Sequence, residues 1–320
     1  VAGQDVLDEL ERRMRRLGRI FDLSRLESQG RTPSQIRRYY ERSRPGYRFV
    51  HSELGAMHMA LNPDGTFDPA GYAGQAWLVD ERLPPGTRDV LELACGNGYN
   101  LVLLAERNPN VRFVGVDLVS SQISRARAAL ADMPLADARV GDFQALAIGD
   151  GAQDCVYVVE SLCHATDPAR ALSEIARVLR PGGRLVVVDG WRTAEFDGLP
   201  ELARDATLAV ERAMAVSDGQ SLPAWKRIAG EQGLRVTEDL DLTAQIGPNL
   251  DRLAALAERF VSRPRIARAA RVVVSDALLM NAVAAYLMPL VVEAGAHTYR
   301  LLTLERESLE RARPSPGPPG

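Results

Sequence analysis

The nine residues Val90-Leu-Glu-Leu-Ala-Cys-Gly-Asn-Gly98 leave this chain few folds to choose from. A short, mostly apolar strand runs into a turn with two glycines, and Tyr99 to Arg107 then read as a helix. That succession puts backbone N–H groups at the edge of a parallel sheet, where a nucleotide can lie. The next apolar run, Val111 to Val116, ends in Asp117, 19 residues beyond Gly98. An acid at about that offset can meet a ribose hydroxyl. A dinucleotide fingerprint would need a third glycine at position 101, where the chain has Leu101. The strand also carries an acid, Glu92, which would repel a pyrophosphate and suit a cationic ligand.

Strands and helices alternate from here on. Strands 90–94, 111–116, 137–140, 154–159 and 184–189 are separated by helices 99–107, 120–131 and 168–179. This order predicts an α/β fold with a doubly wound parallel sheet and right-handed crossovers. Helices are expected over 198–216 and 223–233, then a strand over 234–242 and another over 298–305. Between those two strands, residues 249–295 read as a largely apolar helical insert.

Four separated motifs now stand in one order: Glu92-x-Ala94-x-Gly96-x-Gly98, Asp117, Gly141-Asp142-Phe143 and Leu179-Arg-Pro-Gly-Gly183. In that order they resemble the class I S-adenosylmethionine-dependent methyltransferases, over about Thr87 to Asp189. The resemblance implies a Rossmann-like sheet of seven strands, the last one antiparallel, and S-adenosylmethionine as cofactor. It implies that Glu92 and Gly96 hold the methionine end of the cofactor, near Ala94 where the family usually has glycine. Gly96 and Gly98 would let the backbone approach the ligand, because a Cβ would collide with it. Asp117 would accept from the ribose hydroxyls, Leu118 would pack on the adenine, and Asp142 with Phe143 would flank its amino group.

Past the fourth strand, Val158-Val-Glu-Ser-Leu-Cys-His-Ala165 places Glu160 and His164 where the family's transferable methyl faces. The segment is similar to that of sterol and bacterial isoprenoid-diphosphate C-methyltransferases, in which a glutamate stands at the position of Glu160. Tyr47 to His58 looks like a diverged form of the aromatic–Gly–His stretch of the sterol enzymes. The implied reaction is methyl transfer to a carbon of an isoprenoid or other unsaturated, lipid-like small molecule. An alkene attacking a sulfonium methyl leaves a carbocation, which a carboxylate and aromatic faces stabilise. Glu160 or His164 would then take the proton, and Tyr39, Tyr40, Tyr47 and His58 would line the substrate. The alternative is O- or N-methylation of a secondary metabolite, which needs little more than positioning and one base.

The rest of the sequence bounds partners and place. Formal net charge is −3, with no basic excess to suggest nucleic acid. Cys95, Cys155 and Cys163 lie in or beside apolar strands and read as buried thiols of a reducing, cytoplasmic compartment. The first residues are polar and acidic, so no signal peptide is expected. Four histidines, His51, His58, His164 and His297, have no metal-ligand spacing, so no metal is expected. Residues 5–23 read as an amphipathic helix with Leu7, Leu10, Met14, Leu17 and Phe21 on one face and arginines on the other. Packing on its own domain, a contact between copies of the chain and an anionic membrane surface are three uses for such a helix. Val272 to Val292 is long and apolar, but Asp276, Asn281 and Pro289 argue for buried helices over a membrane span. The expected division is a helical cap over 1–83, a catalytic domain over 84–310 and a disordered, proline-rich tail over 311–320.

Overall fold

The computed structural model describes residues 3–21, 55–216, 219–263 and 276–307, together with Thr32, Ser34, Gln35, Arg37, Ser52 and Arg265. The expected tail at 311–320, and Tyr39, Tyr40 and Tyr47, lie outside the described residues.

Seven strands form one sheet: β1 (Asp89–Leu93), β2 (Arg112–Asp117), β3 (Ala136–Val140), β4 (Gln153–Val159), β5 (Leu179–Arg192), β6 (Leu234–Asp241) and β7 (His297–Arg306). Their spatial order is β3-β2-β1-β4-β5-β7-β6. β1 to β5 run parallel, and β7 enters antiparallel between β5 and β6. The chain builds outward from β1 to β3, then crosses back to place β4 on the other side of β1. That reversal opens a crevice at the carboxyl ends of β1 and β4, the usual ligand position in an open α/β sheet.

The strands are apolar on both faces because helices cover both. Val90, Phe113, Tyr157 and Val186 pack on one side, and Leu91, Leu93, Val156 and Val187 on the other. The helices are α1 (Gln4–Gly18), α2 (Gly74–Asp80), α3 (Tyr99–Arg107), α4 (Ser120–Ala129), α5 (Pro168–Val178), α6 (Glu201–Ala213), α7 (Leu222–Glu231), α8 (Thr243–Val261) and α9 (Asp276–Glu293). α5 starts where Asp167 caps the backbone N–H of Arg170 at 2.9 Å and Pro168 supplies a preset first turn.

Two elements are longer than their apolar patterns. β5 reaches Arg192 because β7 pairs along it, with Gly190 opposite Tyr299 and Arg192 opposite His297. The insert begins at Thr243 rather than 249, with Pro248 inside α8. The apolar run near the C-terminus becomes α9, whose Leu279, Val283, Tyr286, Leu287 and Val291 are buried among α1, α6 and α8. A helix surrounded on several sides is apolar on several sides. Among the described residues no helix is long and apolar enough to cross a membrane. α1 uses its apolar seam inside the chain, where Leu10 and Leu17 are fully buried against α6 and α9. Part of its basic face is used there too, since Arg13 donates to the Tyr286 carbonyl at 2.6 Å and Arg16 pairs with Glu258 at 2.9 Å.

Candidate functional site

After Leu93 the chain turns sharply, with left-handed φ values at Ala94 (51°), Gly96 (53°) and Gly98 (84°). The Gly96 N–H donates to Asp117 Oδ2 at 2.9 Å, and the Val119 N–H donates to Oδ1 at 2.8 Å. One carboxylate therefore ties the turn after β1 to the loop after β2. Burial raises the Asp117 carboxyl above its ordinary value. Below the turn, Glu92 is buried and its carboxyl is pushed up to about 8 by desolvation. Its Oε2 has no hydrogen-bond partner among the described residues. These groups, with Leu118 and Phe143, border a cavity that opens to solvent.

β4 ends next to β1, and Glu160 follows it with φ of 46°, a backbone conformation uncommon outside glycine. Its N–H donates to the Val188 carbonyl at 2.8 Å. Its Oε1 accepts from the Met59 N–H at 2.8 Å and from the Tyr299 hydroxyl at 2.6 Å. Burial pushes the carboxyl up to about 7. His164 stands in the short turn that follows and shares a hydrogen bond with the Ala215 carbonyl through Nδ1 at 3.3 Å. A carbonyl only accepts, so the proton sits on Nδ1; burial holds the ring down to about 4, neutral at physiological pH.

Met57, Glu160 and His164 border both the first cavity and a second, neighbouring one. Trp191, Trp225 and Tyr299 give the second cavity aromatic walls, and Arg192, Glu211 and His297 supply a charged one. The segment Gly55–Asn62 crosses this junction. It is pinned by Asn97 to the Gly55 carbonyl at 2.8 Å, by Glu160 at Met59, and by Asn249 to the Ala60 N–H at 2.8 Å.

A family model described as "Methyltransferase domain" matches residues 91–187. The chain is 30% identical over 230 residues to the S-adenosyl-L-methionine-dependent Diels-Alderase iccD of Talaromyces variabilis, covering 67% of this chain and 77% of that one. This chain belongs to the class I S-adenosylmethionine-dependent methyltransferase family. It is also 29% identical over 203 residues to an O-methyltransferase of Pyrenophora dematioidea, covering 62% of this chain and 73% of the relative. It spans a third of the length of an uncharacterised 37.1 kDa protein in transposon TN4556 of Streptomyces fradiae, which is 40% identical over 115 residues, or 35% of this chain. Among solved structures, the geranyl diphosphate C-methyltransferase of Streptomyces coelicolor A3(2) superposes with a TM-score of 0.64 at 18% identity, over 88% of this chain and 99% of that one.

The methyltransferase cofactor, S-adenosylmethionine, carries an ammonium and a sulfonium, and the first cavity fits such a ligand. A buried carboxylate oxygen without a partner, at Glu92, is the kind of group a cation would satisfy. Glu92, Ala94, Gly96, Asp117, Leu118 and Phe143 all border this cavity.

Three other candidates stand elsewhere. Gly98 does not border the cavity: a Cβ there would lie 3.0 Å from the Cβ of Ala126 on α4, so helix packing requires this glycine. Asp142 does not border it either, and its Oδ1 accepts from the Gln144 N–H at 2.8 Å in a local turn. His58 borders the first cavity and not the second, with Nε2 on Asn100 Oδ1 at 3.2 Å and Nδ1 on the Met59 carbonyl at 3.1 Å.

Tyr299 and Asp189 border the second cavity and were not singled out from the sequence. Asp189 accepts from the backbone N–H groups of Ser161, Leu162 and Cys163 and so shapes the loop that carries His164. Its signal was available, since an acid closes the apolar run of β5 as Asp117 closes that of β2. Tyr299 gave no such signal, being one of several polar positions on β7.

Proposed function

We propose that this methyltransferase acts on a small, largely apolar compound and transfers the methyl group to an oxygen, with Glu160 as the proton acceptor. One observation carries the reading: Glu160 stands where the cofactor cavity meets the second cavity, with its carboxyl close to neutrality. S-adenosylmethionine, when bound, supplies an electrophilic methyl group. A base with a pKa near the working pH is the efficient partner for a hydroxyl that must lose its proton during attack. Both hydrogen bonds to Glu160 fall on Oε1, so Oε2 is the oxygen that takes the proton. Tyr299 and the Met59 N–H fix its orientation. His164, neutral and weakly basic, would orient the substrate. Gly55–Asn62 would exclude water from the junction. Within the cap expected over 1–83, this is the described segment that crosses the junction, while α1 packs with α6 and α9.

The O-methyltransferase of Pyrenophora dematioidea supports oxygen as the acceptor. The aromatic walls Trp191, Trp225 and Tyr299 favour a second reading, carbon methylation through a cation. Incubation with methyl-labelled cofactor and matched phenolic and prenyl acceptors separates the two. A labelled methyl ether is expected. A new C–CH3 bond would move the acceptor to carbon, and no label in either product with intact cofactor binding would end the transfer reading. Glu160→Gln should lower kcat by roughly a hundredfold or more, with cofactor affinity nearly unchanged.

A further inference from the structure

Arg192 closes β5 and His297 opens β7, and the two pair across the sheet. Glu211 reaches them from α6. Its carboxylate is buried, and accepts from Arg192 Nε at 2.7 Å and from His297 Nε2 at 3.1 Å. Burial alone would raise this carboxyl, but the hydrogen bonds from His297 and Arg192 hold it below its ordinary value. It is therefore ionised, and His297 Nε2 carries a proton. All three residues border the second cavity, as do Trp191, Trp225 and Met214.

The position of this cluster is informative. His297 and Tyr299 are two residues apart on β7, so their side chains leave the same face of the sheet, about 6.7 Å apart at Cα. Tyr299 holds Glu160, the proposed base, and His297 sits on Glu211. One face of one strand thus presents two polar points to a cavity that Trp191, Trp225, Met214, Leu250 and Met288 also line. A buried bidentate ion pair is weak evidence for stability, so its place in a cavity wall calls for another account.

The geometry points to a second polar subsite at Arg192, Glu211 and His297, which takes a carbonyl or carboxylate oxygen on the part of the substrate remote from the methylated oxygen. Arg192 and His297 bring N–H donors to this wall, and the guanidinium makes a hydrogen bond to a ligand oxygen charge-assisted. The inference rests on reading the second cavity as the acceptor site. It makes the substrate a compound with two oxygen functions separated by an apolar ring or chain.

4-Hydroxybenzophenone and 4-benzylphenol share a carbon skeleton and differ only in a carbonyl against a methylene. Calorimetric titration of each into the protein saturated with S-adenosylhomocysteine gives the ratio of their affinities. The native protein should prefer the ketone by about tenfold or more, as one charge-assisted hydrogen bond predicts. His297→Leu should bring the ratio near one. So should Gly219→Ala, whose Cβ would collide with the Glu211 carboxylate. A ratio taken on one sample is insensitive to partial loss of folded protein. Equal affinities in the native protein, no affinity for either compound, or a preference kept by both variants would overturn the subsite. Methyl transfer is scored separately. Methylation without preference removes the subsite and leaves the oxygen-acceptor reading. Preferential binding without methylation does the reverse.

Discussion

Glu160 combines a left-handed backbone with a carboxyl near neutrality. Such a backbone costs on the order of 1–3 kcal/mol and persists only where neighbours fix it. Here Val188, Met59 and Tyr299 do so. The sign of the pH effect follows from the role. The ionised form accepts the proton, so kcat/KM should rise with pH through about 7 and level off above it, and Glu160→Gln should lose that limb. A native profile flat from pH 6 to 8 would remove Glu160 as the base. Asp117 is a second residue whose carboxylate organises the site, by joining two loops and facing the cofactor cavity. Asp117→Ala should weaken S-adenosylhomocysteine binding roughly ten- to hundredfold, the value of one or two hydrogen bonds to a charged group. Calorimetry returning the native affinity would refute the assignment.

At the scale of elements, the turn between β1 and α3 has two glycines with different duties. Gly96 faces the cofactor cavity, and an added Cβ would meet only Met57 Sδ, at 3.6 Å. Gly98 faces α4, with the Ala126 Cα 3.2 Å from an added Cβ and φ of 84°. A Cβ in a left-handed residue costs about 1–2 kcal/mol by itself, and the helix contact adds to it. Gly98→Ala should therefore lower the melting temperature more than Gly96→Ala, while Gly96→Ala should weaken cofactor binding more. Differential scanning calorimetry with and without S-adenosylhomocysteine reads both, and the opposite ranking would contradict the division. The sequence grouped the two glycines because spacing shows where a turn lies and not which neighbour each residue meets.

Over the whole molecule, Glu92 (about 8), Glu160 (about 7) and Asp189 (about 6) all bind protons more tightly folded than unfolded. Their contribution to stability is full below their ordinary values and is lost as pH rises to about 8. Surface carboxylates held low, such as Glu174 by Arg177 and Glu238 by Arg82, contribute in the opposite direction and are lost in acid. The melting temperature should peak between roughly pH 5 and 6 and fall toward pH 8. S-adenosylhomocysteine should stabilise more at pH 8 than at pH 6, because its ammonium favours ionised Glu92. A melting temperature still rising from pH 6 to 8 would contradict this balance. By itself the sequence determined the alternation of elements, the turn after β1, and the acids Glu92 and Asp117, because apolar periodicity and glycine turns are local and repeat with the geometry of the backbone. The tertiary structure decided the rest. Glu160 meets Tyr299 across 139 residues only because β7 inserts beside β5. His58 falls in the first cavity, and α9 is covered by α1, α6 and α8, because of which elements come to lie beside them. Those neighbours are set by chain reversal and packing between distant segments, which no local pattern encodes.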